Sequence, residues 1–287
     1  MAIQHFTGRI KAKARSIRRA GLRVARQRPR TQPDGVEVAE RSPFDNIYHC
    51  SIQRAASQWF RGVFTDPDVW RHTGLAIEPY REIGHRRARL ATPFPKRTIV
   101  TALYIDYPTY MAISKPERYR AFYVMRDPRD ALVSFYFAMR YSHRPTEEVA
   151  ELRPRLRAMG LEDGLHLLLD WMDDVGFFAS QVSWVSAELD SSAKLFRYED
   201  LAADHRVFLG SLLAHLEINI PQDAFEGLTT RHSFSAVAGG RHQGVEDPYH
   251  HFRKGVPGEW VEFFSPDLVD HFRSVTRDDV EKLGYGW

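Results

Sequence analysis

Short apolar runs alternate with longer amphipathic stretches along this chain. Residues 46–52 (NIYHCSI), 98–104 (TIVTALY), 120–125 (RAFYVM) and 194–198 (KLFRY) are compact and rich in β-branched or aromatic side chains. Each has the length of a strand buried on both faces. Apolar positions recur at helical spacing from the loop after the first run through residue 64, and over 131–141, 147–159, 164–189, 205–215 and 266–275. These are predicted helices. Strands separated by helices build right-handed β-α-β units, so the expected fold is α/β, with a parallel central sheet flanked by helices. The glycine-rich stretch 238–244 reads as a mobile loop.

Upstream the pattern differs. Ile10, Ala14, Ile17, Gly21 and Val24 recur at helical spacing among Arg and Lys, a weakly amphipathic basic helix broken by Pro29 and Pro33. Residues 1–33 hold ten Lys or Arg and no acid, whereas the whole chain has a formal charge of only +3. The rest is therefore mildly acidic, which argues against nucleic acid as a partner. The division expected is a basic extension over 1–43 and one domain over 44–287. The extension suits an anionic membrane surface or glycan, and it also resembles an organelle transit peptide. Cys50 is the only cysteine, so no internal disulfide is possible and a reducing, cytoplasmic setting is expected. Neither a spanning apolar stretch nor a secretory signal is apparent.

Candidate chemistry gathers where strands run into helices, since free amide groups at helix N-termini favour anions. The first junction is residues 53–59, QRAASQW, with one cation, one hydroxyl and one amide ahead of an aromatic ring. A plain helix cap at Ser57 is the alternative there. The pattern G-x-x-x-x-G-K-(S/T) is absent, so an ATP or GTP loop is not supported. The second junction is residues 126–130, RDPRD, in which Asp127 and Pro128 mark a helix start and Arg126 offers a planar fork to phosphate; Ser134 lies two turns on. The third is residues 253–260, RKGVPGEW, two adjacent cations beside a glycine in a loop.

Taken together these segments resemble the PAPS-dependent sulfotransferase family (PAPS, 3′-phosphoadenylyl sulfate). Residues 53–59 occupy the places of its P-K-S-G-T-T-W signature. Arg126 to Asp130 with Ser134 match R-(D/N)-P-(R/K)-D with its following serine, and Arg253 to Trp260 match R-K-G-x-x-G-(D/E)-W. Tyr198-Glu199-Asp200, Ser233-Phe234 and the closing Leu283-Gly284-Tyr285 are also typical of members, all in family order. The resemblance implies the P-loop-kinase-like sulfotransferase fold and transfer of a sulfuryl group from PAPS to a hydroxyl or amine. It places Arg54 against the transferring group, and Ala55, Ala56, Ser57 and Gln58 around the 5′-phosphate. Trp59, Tyr198 and Phe234 would meet the adenine, and Arg126, Ser134, Arg253, Lys254 and Gly255 would hold the 3′-phosphate. No metal is expected, since no Cys/His cluster has ligand spacing. The aromatic side chains of the acidic body (Tyr104, Tyr107, Tyr110, Phe135, Tyr136) and the basic extension suit a polysaccharide, glycolipid or small metabolite as acceptor.

Three departures matter. Arg54 stands for lysine, and an arginine is a poor proton donor. Ala55-Ala56 stands for Ser-Gly, removing a residue that permits positive φ. The family's T-H pair, whose histidine is the general base, is Thr101-Ala102 here. Asp106, four residues further on, is the first candidate to replace that base, with a helix cap as its alternative. His143 is the second, and His242, His250 and His251 precede the R-K-G segment. His49 reads as a satisfied strand residue. Two rivals stay open: a nucleotide-binding protein without catalysis, and a nucleotide kinase.

Overall fold

The structure, a computed structural model, describes residues 33–79, 83–84 and 93–287. The predicted arm helix and most of the basic extension lie outside them. Five parallel strands form the sheet: β1 (Asn46–Ser51), β2 (Ala76–Pro79), β4 (Thr98–Ile105), β5 (Tyr119–Met125) and β6 (Ala193–Arg197), in the order β2-β4-β1-β5-β6. The two-residue β3 (Ile83–Gly84) pairs with β4 as well. Every residue of β1 is buried, which is why the strands read as continuous runs rather than alternating ones.

The helices used below are α1 (Ser57–Phe64), α2 (Tyr107–Met111), α3 (Pro128–Phe137), α4 (Glu147–Ala158), α5 (Leu161–Asp174), α6 (Phe177–Val185), α7 (Tyr198–Ala203), α8 (His205–His215), α9 (Gln222–Arg231) and α10 (Pro266–Thr276). One face of the sheet is closed by Phe60 and Phe64 of α1 and Phe208 of α8, packed on His49, Phe122 and Phe196. On the other face Trp184 of α6 stacks on Tyr123 at 4.6 Å and donates its indole N–H to Ile105 O. His49 lies flat on Phe122 at 4.7 Å and shares a 2.8 Å hydrogen bond with Thr101 Oγ1. Burial pushes its pKa down to about 3, so it is a neutral ring in a strand as expected, but only half satisfied, since its Nε2 has no partner among the described residues.

Two sequence expectations change in detail. The single helix expected over 164–189 is two, α5 and α6, because Gly176 breaks it with φ 82°. The helix expected over 131–141 begins at Pro128 under an Asp127 cap and ends in a π-helical turn, Ala138–Ser142. Neither β2, four residues at the sheet edge, nor α9 was predicted. What positions the site is the register: Ser51 pairs with Val124, so the loops leaving β1 and β5 begin side by side at their carboxyl ends.

Candidate active site

The loop after β1 turns sharply into α1. Arg54 and Ala56 both take positive φ, 71° and 61°. The glycine missing from this loop has therefore not cost the turn; Ala56 adopts the left-handed conformation itself. A non-glycine residue there stores about 1–2 kcal/mol. Ala56→Gly relieves that strain against the greater chain entropy of glycine, and should raise the unfolding free energy by about 0.5–1 kcal/mol in urea titrations. No gain at all would mean that the loop is unstrained.

Ala56 is the N-cap of α1 but offers no side-chain acceptor, and the first turn contains no acid. The amides opening α1 are thus left for an anion. Tyr104 O–H donates to Ser57 Oγ at 2.8 Å. Arg54 Nε donates to Ser134 Oγ at 3.1 Å, and its carbonyl accepts from Arg126 Nη1 at 2.8 Å. Burial first, then the neighbouring Arg126, push the Arg54 pKa down to about 10, which leaves it cationic at neutral pH.

Arg126 is only 4% exposed, and its guanidinium lies 4.1 Å from the Tyr198 ring centre. The other residues of its motif are scaffold. Asp127 caps α3 and grips Arg129 through two hydrogen bonds, while Arg129 lies 3.9 Å over Trp260. Asp130, buried, accepts from Gly258 N at 2.6 Å and Trp260 N at 3.0 Å, pinning the loop of residues 253–260 onto α3. Glu199 accepts from Asp127 N and from Tyr285 O–H, tying the C-terminal residues to the same junction. On the pinned loop Arg253, 6% exposed, pairs with Glu246 and Glu259, and Lys254 lies 3.5 Å from Glu259 and Glu262. Gly255 has φ 76°, and a Cβ there would lie 2.3 Å from Phe234.

One cleft is lined by Arg54, Ala56, Ser57, Trp59, Arg126, Ser134, Tyr198, Phe234, Arg253, Lys254 and Gly255. The sulfotransferase-domain sequence profile matches residues 43–284. The chain belongs to the sulfotransferase family. Family membership makes sulfuryl transfer its activity.

Solved structures with this sulfotransferase's fold include mouse sulfotransferase SULT7A1 complexed with PAP. That pair is 20% identical with a TM-score of 0.55, covering 85% of this chain and 90% of the other. Retinol dehydratase in complex with androsterone and the inactive cofactor PAP is 13% identical, with a TM-score of 0.51 and coverage of 84% and 82%. Comparison with curated protein sequences gave no match.

Four expected residues of the sulfotransferase lie elsewhere than in that cleft wall. Ala55 is buried in the core beneath the loop, and Gln58 is exposed outside the cleft lining. Asp106 does not line the cleft. It is the N-cap of α2 and accepts from Thr109 N at 2.8 Å, so the helix-cap alternative describes it. His143 ends the π-helical turn outside the cleft lining, with its Nδ1–H donating to Arg144 O at 3.0 Å. Burial and the nearby Arg54 lower its pKa, with burial the larger cause.

The cleft of the sulfotransferase also contains residues that the motifs did not mark: His205, His232, Gln243 and His251. Trp59 donates its indole N–H to His232 O at 2.7 Å. Among the described residues no group of three or more His, Cys, Asp or Glu could hold a metal ion, and no helix is long and apolar enough to cross a membrane.

Proposed function

We propose that PAPS binds with its 3′-phosphate among Arg126, Ser134, Arg253, Lys254 and Gly255. Its 5′-phosphosulfate meets Arg54, Ser57 and the loop amides, and its adenine lies among Trp59, Tyr198 and Phe234. One observation carries this reading. The buried Nε groups of Arg126 and Arg253, both on cleft-lining residues, have no hydrogen-bond partner among the described residues. An unpaired buried donor costs roughly 1–3 kcal/mol, and a bound phosphate removes that cost. In the reaction the acceptor oxygen or nitrogen attacks sulfur in line, the bond from sulfur to the bridging oxygen breaks, and the bisphosphate product PAP leaves. Arg54 faces the charge that develops on that bridging oxygen.

The acceptor in this reading is a small-molecule hydroxyl or amine, a glycan or a glycolipid. Retinol dehydratase, crystallised with the alcohol androsterone, supports the first class. The exposed Tyr249, edge-on to Tyr141 at 5.1 Å in the segment leading to His251, supports an acceptor with a ring to stack. Calorimetry tests the nucleotide site. PAP should bind more tightly than adenosine 5′-phosphosulfate, and Arg126→Ala should cost PAP about ten- to hundredfold while barely changing the phosphosulfate. Equal losses for both nucleotides would overturn the 3′-phosphate assignment. The contact of residues 1–33 with an anionic membrane or glycan rests on their ten basic residues and on the weak apolar stripe from Ile10 to Val24. Deleting them should abolish sedimentation with anionic vesicles and spare PAP binding; unchanged sedimentation would rule membrane docking out.

A further inference from the structure

The position of the family's base holds Ala102, which cannot accept a proton, and Asp106 is engaged as a helix cap. Three histidines line the cleft. His205 is bonded through Nε2 to Thr229 O at 3.1 Å, and His232 through Nε2 to Asp66 Oδ2 at 3.0 Å. The third, His251, makes no hydrogen bond through its ring to any described residue and lines the same cleft as Arg54. Its loop is stapled to the R-K-G segment: Gly244 N donates to Lys254 O at 2.8 Å, Asp247 N to Arg253 O at 3.0 Å, and Arg241 Nη1 to Arg253 O at 2.8 Å.

We propose that His251 is the general base of this enzyme, supplied by the loop that carries the 3′-phosphate cations instead of by β4. The proposal rests on the PAPS reading above. As the acceptor oxygen bonds to sulfur and the sulfur–oxygen bond to PAP breaks, the acceptor's proton passes to an imidazole nitrogen of His251. The proton then leaves to water. His251 lies two residues before Arg253, so binding of the cosubstrate to Arg253 and Lys254 would order the loop that carries the base within the cleft it shares with Arg54.

The electrostatics agree with the geometry. Desolvation within the cleft, then Arg54, His143, His250 and Arg144, lower the pKa of His251, so at pH 7 the ring is neutral, with one nitrogen protonated and the other free to accept a proton. The negative charge of bound PAPS offsets these cations and raises the pKa toward the range useful for a base.

The test uses the full chain with 2-naphthol as acceptor and, independently, with water, scored as hydrolysis of PAPS to PAP and sulfate. His251→Gln and His251→Asn should each lower kcat by about 10²–10³-fold in both assays. PAP affinity by calorimetry should be nearly unchanged, which also checks folding. NMR titration of His251 in the unaltered chain should show its pKa rising when PAP binds. A variant that binds PAP and keeps its hydrolysis rate would overturn the proposal, as would a His251 titration indifferent to PAP. Failure of the unaltered chain to bind PAP would instead remove the PAPS reading.

Discussion

Replacing Arg54 by methionine should lower turnover by about 10²–10³-fold at saturating PAPS, the usual loss when one group stabilising transition-state charge is removed. Methionine fills a similar volume and bears the same positive-φ strain as arginine, so the change removes the charge together with the Nε bond to Ser134, and the lysine variant separates the two. The Arg54 carbonyl still receives Arg126 Nη1, which keeps the floor of the site in place. PAP lacks the sulfuryl group, so its affinity should fall far less than turnover does. Arg54→Lys is the informative companion, since lysine supplies a point charge but not the Nε bond to Ser134. It should retain turnover within about tenfold. If the methionine variant keeps most of its turnover, Arg54 is a structural cation and the charge is met by another group.

Gly255→Ala should weaken PAP binding by about a hundredfold and leave the fold intact. Two causes add. The φ of 76° costs a residue with a Cβ about 1–2 kcal/mol, and that Cβ would lie 2.3 Å from Phe234 Cε2. Relieving such an overlap costs about 1–3 kcal/mol more, through displacement of the ring or of the loop. Either movement disturbs the wall of the nucleotide cleft. Gly258→Ala is the control, because its φ of 83° carries the same backbone cost with nothing within 4 Å of the added Cβ. Calorimetry on both separates collision from strain. Equal losses would show that contact with Phe234 is immaterial.

The parallel sheet was legible because strands buried on both faces read as apolar runs, which correspond to β1, β4 and β5; the run behind β6 was short but β-prone, although only Phe196 of that edge strand is buried. The short edge strand β2 has too few residues for such a signal. The cation motifs were legible because each is contiguous. Their division of labour was not, since Asp130 reaches Gly258 and Trp260 across 128 and 130 residues of chain. A sequence does not display such pairings. Asp106 follows a strand, where a base could stand, yet Asp-Tyr-Pro is also a helix start, with proline in the first turn. The capping signal was the stronger of the two. His251 could be named from the sequence but not singled out, because its standing depends on which histidines the fold engages elsewhere. Ala56 shows a further limit, for the loop keeps its left-handed turn without the residue type that usually marks one.

The most direct measurement of the central claim is transfer itself. The full chain is incubated with radiolabelled PAPS and a panel of phenol, sugar, sterol and amine acceptors, and both products are followed. The account predicts label on at least one acceptor, with one PAP formed for each sulfuryl group transferred and the transfer lost in Arg54→Met. Tight PAP binding with neither transfer nor hydrolysis of PAPS across the panel would contradict it, and would leave a nucleotide-binding protein on a sulfotransferase fold.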